Sequence, residues 1–189
     1  MTIFISGGCK NGKSSIAENC CTVLSNGGPL YYIATMQAFD DEDRERIKRH
    51  RASRAGKGFE TIEQPLHILD CLKSSDPKNG TYILDSVTAL MINELYSNTG
   101  AMGEDTYDLT SDPKAAKRVA SELTELCRSV KNIVFVSDYI YSGIDAYSEY
   151  TEDYLKALSF VDKALAKECD AVAEVCIGNI NMLKGELPL

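Results

Sequence analysis

Tryptophan is absent, histidine occurs only twice, and no stretch of the 189 residues strings together the ~18 apolar residues that a membrane-spanning helix needs. Positive charge is in the minority. Twenty Lys and Arg face 28 Asp and Glu, a formal net charge of −8, which excludes a chain that grips nucleic acid or an anionic membrane through its overall field. No two of the seven cysteines stand in C-x-x-C spacing, and Cys20 and Cys21 are adjacent. That is a framework for neither zinc nor disulfides, so the cysteines read as reduced core residues. The N-terminus runs from Met1 through an apolar segment straight into glycines, with no basic region and no cleavage signal. Internal repeats, low-complexity segments and linkers are missing as well. The expectation is one cytosolic domain over residues 1–189, with 44% apolar residues to build its core.

What is present is an alternation of short apolar runs with longer helical patterns, the mark of an α/β fold with a mainly parallel sheet and helices on both faces. The runs 2–6, 30–35, 59–62, 82–85 and 133–136 read as strands, and 171–177 as the strand that closes the sheet. Helices are expected over 14–24, 40–54, 67–73, 87–96 and 152–168. The first of these carries Ile16, Cys20, Val23 and Leu24 on one face. Asp112-Pro113 opens a further helix, whose buried face is Val119, Leu123, Leu126, Cys127 and Val130. Residues 97–112 and the tyrosine-rich 139–150 read as loops.

The sharpest motif is Gly7-Gly8-Cys9-Lys10-Asn11-Gly12-Lys13-Ser14, which matches G-x-x-x-x-G-K-[ST] between an apolar strand and an amphipathic helix. Glycines allow backbone N–H groups to turn inward around phosphate oxygens, and the following helix aims its positive N-terminus at them. Lys13 would reach the β- and γ-phosphates, and the Ser14 hydroxyl would ligate Mg²⁺ carried by the nucleotide. The fold expectation sharpens accordingly to a P-loop NTPase-like sheet. Such sites need a carboxylate at a neighbouring strand end, and Asp85 is the candidate. Ser86 and Thr88 follow it, so it also reads as a cap for the next helix. By itself the motif does not choose between ATPase, GTPase, kinase and nucleotidyl transferase.

Residues 40–54 begin acidic and end basic. That order suits a solvent-facing helix, complementing its dipole and offering pairs such as Glu42–Arg46 and Glu45–Arg49. It also sets Arg46, His50 and Arg54 four apart on one face, with Arg51 alongside. Neighbouring cations disfavour imidazolium and would hold a triphosphate, the setting that attack on an α-phosphorus requires. His67, at an ordinary helix start, suggests no such role.

Together these residues resemble the bifunctional adenosylcobinamide kinase/adenosylcobinamide-phosphate guanylyltransferase family of cobalamin biosynthesis. The likeness covers nearly the whole chain: 5–15 with Ala17-Glu18, Tyr32-Ile33-Ala34-Thr35, Arg46-Ile47 with His50-Arg51-Ala52-Ser53-Arg54, Phe59 through Pro65, and Asp85-Ser86-Val87-Thr88 with Asn93. The resemblance implies phosphorylation of the corrinoid's aminopropanol hydroxyl by ATP or GTP. It then implies attack of His50 on the α-phosphate of GTP, a covalent guanylyl-histidine, and transfer of GMP to the phosphorylated corrinoid. It makes His50 and Lys13 the catalytic candidates and homo-oligomers the expected assembly. It assigns the phosphates to Gly7 through Ser15 (Ser15 included), and the guanine nucleotide to Ala34, Thr35, Met36, Arg51, Ala52, Ser53, Arg54, Glu63 and Asp85. Ser14 and Asp85 remain the metal candidates.

Departures from the family pattern fall at the end of the His50 segment, after Asp85, and, as the larger change, after the 133–136 strand. Ala55 stands where the family has Pro, Leu90 where it commonly has an aromatic, and Tyr139 where it carries Glu within T-N-E-V-G. Two other readings stay open on sequence: a P-loop small-molecule kinase without guanylyl transfer, and a GTP-binding module without turnover. The tyrosines at 139, 141, 147, 150 and 154 suit either a pocket for a large flat ligand or a core.

Overall fold

The computed structural model describes residues 1–38, 40–96, 112, 114–141 and 147–189, without the side chains of Arg46, His50, Ser53 and Arg54. Of the expected 97–112 loop all but Asp112 lies outside the described residues, as do Pro113 and the centre of the tyrosine-rich loop.

Seven strands form one sheet in the order β3-β2-β4-β5-β1-β6-β7. They are β1 Thr2–Gly7, β2 Leu30–Ala34, β3 Phe59–Glu63, β4 Thr81–Asp85, β5 Asn132–Asp138, β6 Ala171–Cys176 and β7 Asn179–Lys184. The first six are parallel, and β1, β2, β4, β5 and β6 are the mostly buried apolar runs that a sheet covered on both faces requires, whereas β3 is a largely exposed edge strand. On one face lies α1 (Lys13–Ser25), packed against Ile3, Ile5, Ile83 and Val134. On the other lie α3 (Val87–Tyr96), α4 (Ala115–Ser129) and α5 (Glu149–Glu168), burying Phe4, Ile33, Leu84 and Phe135. The polar helix α2 (Asp41–Arg54) follows β2, its first turn capped by the Asp40 carboxylate accepting from the Asp43 N–H at 2.7 Å.

Four expectations are corrected. On the expected α1 face, Cys20 is buried and Ile16 and Leu24 pack against the same cluster, but Val23 is 55% exposed, and Ala17 and Cys21 face the sheet instead. Small side chains let the helix sit close enough for the Cys21 thiol to donate to the Tyr82 carbonyl at 3.3 Å, and a Val in that layer would hold it off. The last long helix starts at Glu149, three residues early, because Ser148 rather than a later residue caps it, accepting from the Thr151 N–H. Of the two pairs expected on α2, Glu42–Arg46 involves a side chain outside the described residues; in place of Glu45–Arg49, Glu45 bridges Lys48 at 3.6 Å, while Arg49 donates to the Glu45 carbonyl. Finally, β6 does not close the sheet. The chain reverses after Cys176, and β7 pairs antiparallel along it. Ile177 and Gly178 both have positive φ, 51° and 74°, which is the two-residue hairpin geometry that matches strand twist.

Candidate functional site

The C-terminal ends of β1, β2, β4 and β5 converge on one side of the sheet, and the loop from Gly7 to Gly12 starts there. Gly7 is obligatory. A Cβ at this position would lie 2.2 Å from the Val175 carbonyl oxygen, and its φ is +155°. Gly12 turns the chain into α1 with φ +88°. Lys13 then folds back beneath the loop, only 6% exposed, its ammonium donating to the Gly8 carbonyl and to Asp138 Oδ1, both at 2.7 Å.

Asp85 ends β4 and faces the first turn of α1. The Ser14 hydroxyl donates to its Oδ2 at 2.8 Å, and the Tyr32 hydroxyl donates to the same oxygen. The helix-cap reading of Asp85 falls away, because it is Ser86 Oγ that accepts from the Ala89 N–H at 3.1 Å. Thr35 is fully buried and reaches no cleft. Its hydroxyl donates to the Ser86 carbonyl at 2.7 Å and accepts from the Ser86 N–H at 2.8 Å, so it braces the turn after Asp85. Asn93 ties that brace to the chain after β3 by donating to the Thr35 and Pro65 carbonyls.

Two clefts meet at Met36, Gln37 and Asp85. One, about 900 Å³, lies over the phosphate loop and is lined by Cys9, Lys10, Asn11, Gly12, Lys13, Ser14 and Ser15. The other, about 860 Å³, runs beneath α2 and is lined by Ala34, Met36, Ile47, Arg51, Glu63 and Asp85. Arg51 is ion-paired with Glu63 across its mouth. Of the remaining expected nucleotide residues, Ala52 is exposed and lines neither cleft, and Gly7 and Gly8 shape the loop from behind. His50 falls within α2, one turn beyond Ile47 and two beyond Asp43, which line the two clefts.

Sequence reasoning missed Asp138. The signal was there, since it ends an apolar strand beside β1 as Asp85 ends the next strand over. Behind it a polar chain runs into the core. Thr88 Oγ1 accepts the Asp138 N–H at 2.7 Å and lies 3.4 Å from the Ser137 hydroxyl, which donates to Asp162 Oδ2 at 3.1 Å. The Tyr141 hydroxyl donates to that same oxygen at 3.2 Å. Burial pushes the Asp162 carboxyl up to about 7, opposed by the Ser137 and Tyr141 hydroxyls and aided by the charge of Asp138. The tyrosines thus divide between their two readings. Tyr141 and Tyr154 are anchored to the core, their phenols pushed up mainly by burial, while Tyr139, Tyr147 and Tyr150 are exposed. His67 donates its backbone N–H to Glu94 at 2.6 Å, a structural contact.

A solved protein from Pyrococcus horikoshii OT3 shares the fold, with a TM-score of 0.51 at 11% identity over 97% of this chain and 86% of that one. In sequence, the chain is 29% identical over 187 residues to the bifunctional adenosylcobalamin biosynthesis protein CobP of Pseudomonas aeruginosa, covering 98% of this chain and 99% of that protein. It is 27% identical over 179 residues to the bifunctional adenosylcobalamin biosynthesis protein CobU of Escherichia coli K12, covering 94% and 97%. The family model for cobinamide kinase / cobinamide phosphate guanyltransferase matches residues 3–183, a span that takes in the phosphate loop, α2 and every strand-end residue described above. With its phosphate loop, strand-end carboxylate and basic helix in one continuous cleft, the chain belongs to this family of bifunctional kinase and guanylyltransferase enzymes of cobalamin biosynthesis.

Proposed function

We propose that the two joined clefts are a single nucleotide site serving both reactions, with adenosylcobinamide and its phosphate as the acceptors. The triphosphate sits on residues 7–15, and Lys13 leaves Asp138 and the Gly8 carbonyl to take the β- and γ-phosphates. The guanosine half extends past Met36 into the cleft of Ala34, Arg51 and Glu63 beneath α2. Asp85 carries this reading, because it borders both clefts and already holds the Ser14 hydroxyl.

Among the described residues no cluster of three or more His, Cys, Asp or Glu could hold a metal. Ser14 and Asp85 are nonetheless an adequate pair for Mg²⁺, which keeps its waters and takes most remaining ligands from phosphates. When bound, the ion neutralises charge developing on the phosphates.

In the guanylyl half-reaction a His50 ring nitrogen attacks the α-phosphorus of GTP. The N–P bond forms, the bond to the α–β bridging oxygen breaks, and pyrophosphate departs with the electron pair. GMP stays on His50 as a phosphoramidate until a phosphate oxygen of adenosylcobinamide phosphate displaces it, giving adenosylcobinamide-GDP. Arg51 and the basic end of α2 offset the negative charge that builds at phosphorus. A homo-oligomer is part of the same reading. No helix of the described residues is long and apolar enough to cross a membrane.

Intact-protein mass after incubation with GTP and Mg²⁺ tests the proposal. The native chain should gain one acid-labile GMP and His50→Ala none. If GTP binds but neither protein gains mass, the covalent route is wrong and a plain phosphoryl-transfer enzyme replaces it.

A further inference from the structure

Four carboxylates line the cleft over the phosphate loop: Glu42 and Asp43 on α2, and Asp85 and Asp138 at strand ends. Three are placed for other work. Glu42 and Asp43 stand on the first turn of α2, across the cleft from the loop, and Asp85 is engaged by the Ser14 and Tyr32 hydroxyls. Asp138 touches Lys13, the group that in this motif reaches the terminal phosphates. It cannot drift away. Its own N–H is bonded to Thr88 Oγ1, and the next N–H, that of Tyr139, donates to the Gly7 carbonyl at 2.9 Å. Beyond it the surface becomes apolar at Tyr139 and Ile140, 43% and 36% exposed, which suits the approach of a bulky, largely apolar acceptor.

We propose that Asp138 is the general base of the kinase step. Once Lys13 turns to the phosphates, the Asp138 carboxylate is left beside the γ-phosphate with its lone pairs free. It takes the proton of the cobinamide hydroxyl as that oxygen attacks the γ-phosphorus. The new bond joins the acceptor oxygen to phosphorus, and the bond to the β–γ bridging oxygen breaks. The nucleoside diphosphate leaves with the electron pair, and the proton on Asp138 passes to water. Guanylylation of the protein involves no hydroxyl nucleophile and so makes no use of this base. The inference rests on the phosphate-loop reading above.

Asp138→Asn keeps the shape and the backbone bonds but cannot accept a proton, and Asp138→Glu restores a carboxylate. With adenosylcobinamide, ATP or GTP, and Mg²⁺, the Asn variant should lose about 10²-fold in kinase kcat, the usual reach of a general base, with nucleotide KM changed far less. The Glu variant should recover at least a tenth of native kcat. The GMP mass gain in the same preparations should fall much less than kinase kcat. Kinase kcat near native in the Asn variant overturns the proposal. So does an equal fall in kinase kcat and GMP mass gain, which would make Asp138 only the resting partner of Lys13. If the native chain shows no mass gain, the histidine route has failed instead, and the split between kcat and KM with rescue by Glu still decides the role of Asp138.

Discussion

At the scale of single residues, chemistry is set by what each polar group is bonded to in the absence of ligand. Lys13 is nearly buried and satisfied by one carboxylate and one carbonyl, so it contributes charge to the site without holding the fold open. Lys13→Ala should therefore abolish both kinase turnover and GMP attachment while leaving the far-ultraviolet circular dichroism of the native chain. A fully active variant would remove the phosphate-loop assignment. Asp162 makes a different prediction. Burial raises its carboxyl from the ordinary 3.8 to about 7 in the folded protein. Between those values the native state holds a proton that the unfolded chain has released, so stability falls as pH rises through this window and the loss is complete above about 7. Asp162→Asn cannot ionise and still accepts from Ser137 and Tyr141 through its amide oxygen. Its stability relative to the native chain should rise from pH 5 to pH 8, by on the order of 2 kcal/mol. Urea unfolding midpoints of both proteins at the two pH values measure this, and a flat or falling difference refutes it.

At the scale of elements, α2 is the anomaly: a helix with almost no apolar face, held over a cleft by charge. Asp40 caps its start, Arg51 pairs with Glu63 on β3, and just beyond its end Lys57 bridges Glu18 on α1 at 2.6 Å. The Glu18 side chain is 9% exposed, so this last pair differs from the surface pair of Arg44 and Asp41. Lys57→Met, which strands a nearly buried carboxylate, should cost about 1–3 kcal/mol by urea unfolding. Arg44→Met should cost under about 0.5 kcal/mol. Equal effects would show that α2 is not anchored through Glu18. The helix itself was legible in the sequence from its charge order, whereas its cap at Asp40 was not. The α1 face was legible only in part: Ile16, Cys20 and Leu24 hold, but hydropathy favours Val23 whereas close approach to the sheet favours Ala17 and Cys21. Not legible at all was β7, whose residues are mostly exposed and whose turn places an isoleucine at positive φ, where Asn or Asp is the usual signal.

At the scale of the whole molecule, the site exists only when distant segments are assembled. The phosphate loop could be read because its residues are contiguous, and Asp85 because a strand-end acid is a local pattern. The contact of Asp138 with Lys13 spans 125 positions and depends on β5 lying between β1 and β4, a sheet order that no local pattern states. Nucleotide binding must therefore act on elements far apart in the chain. For 189 residues, a ligand at 100 times its Kd adds about 2.7 kcal/mol, roughly 5–10 °C in Tm. GTP with Mg²⁺ should raise the Tm of the native chain by that amount and leave Lys13→Ala nearly unmoved. Amide hydrogen exchange then locates the effect. If one nucleotide fills both clefts, protection rises in residues 7–15 and in α2 together, while the β6–β7 hairpin, which borders neither cleft along β7, gains little. Protection confined to residues 7–15 would mean that the cleft beneath α2 is not the guanosine site. The position of His50 on that helix would then no longer bring it to the α-phosphate.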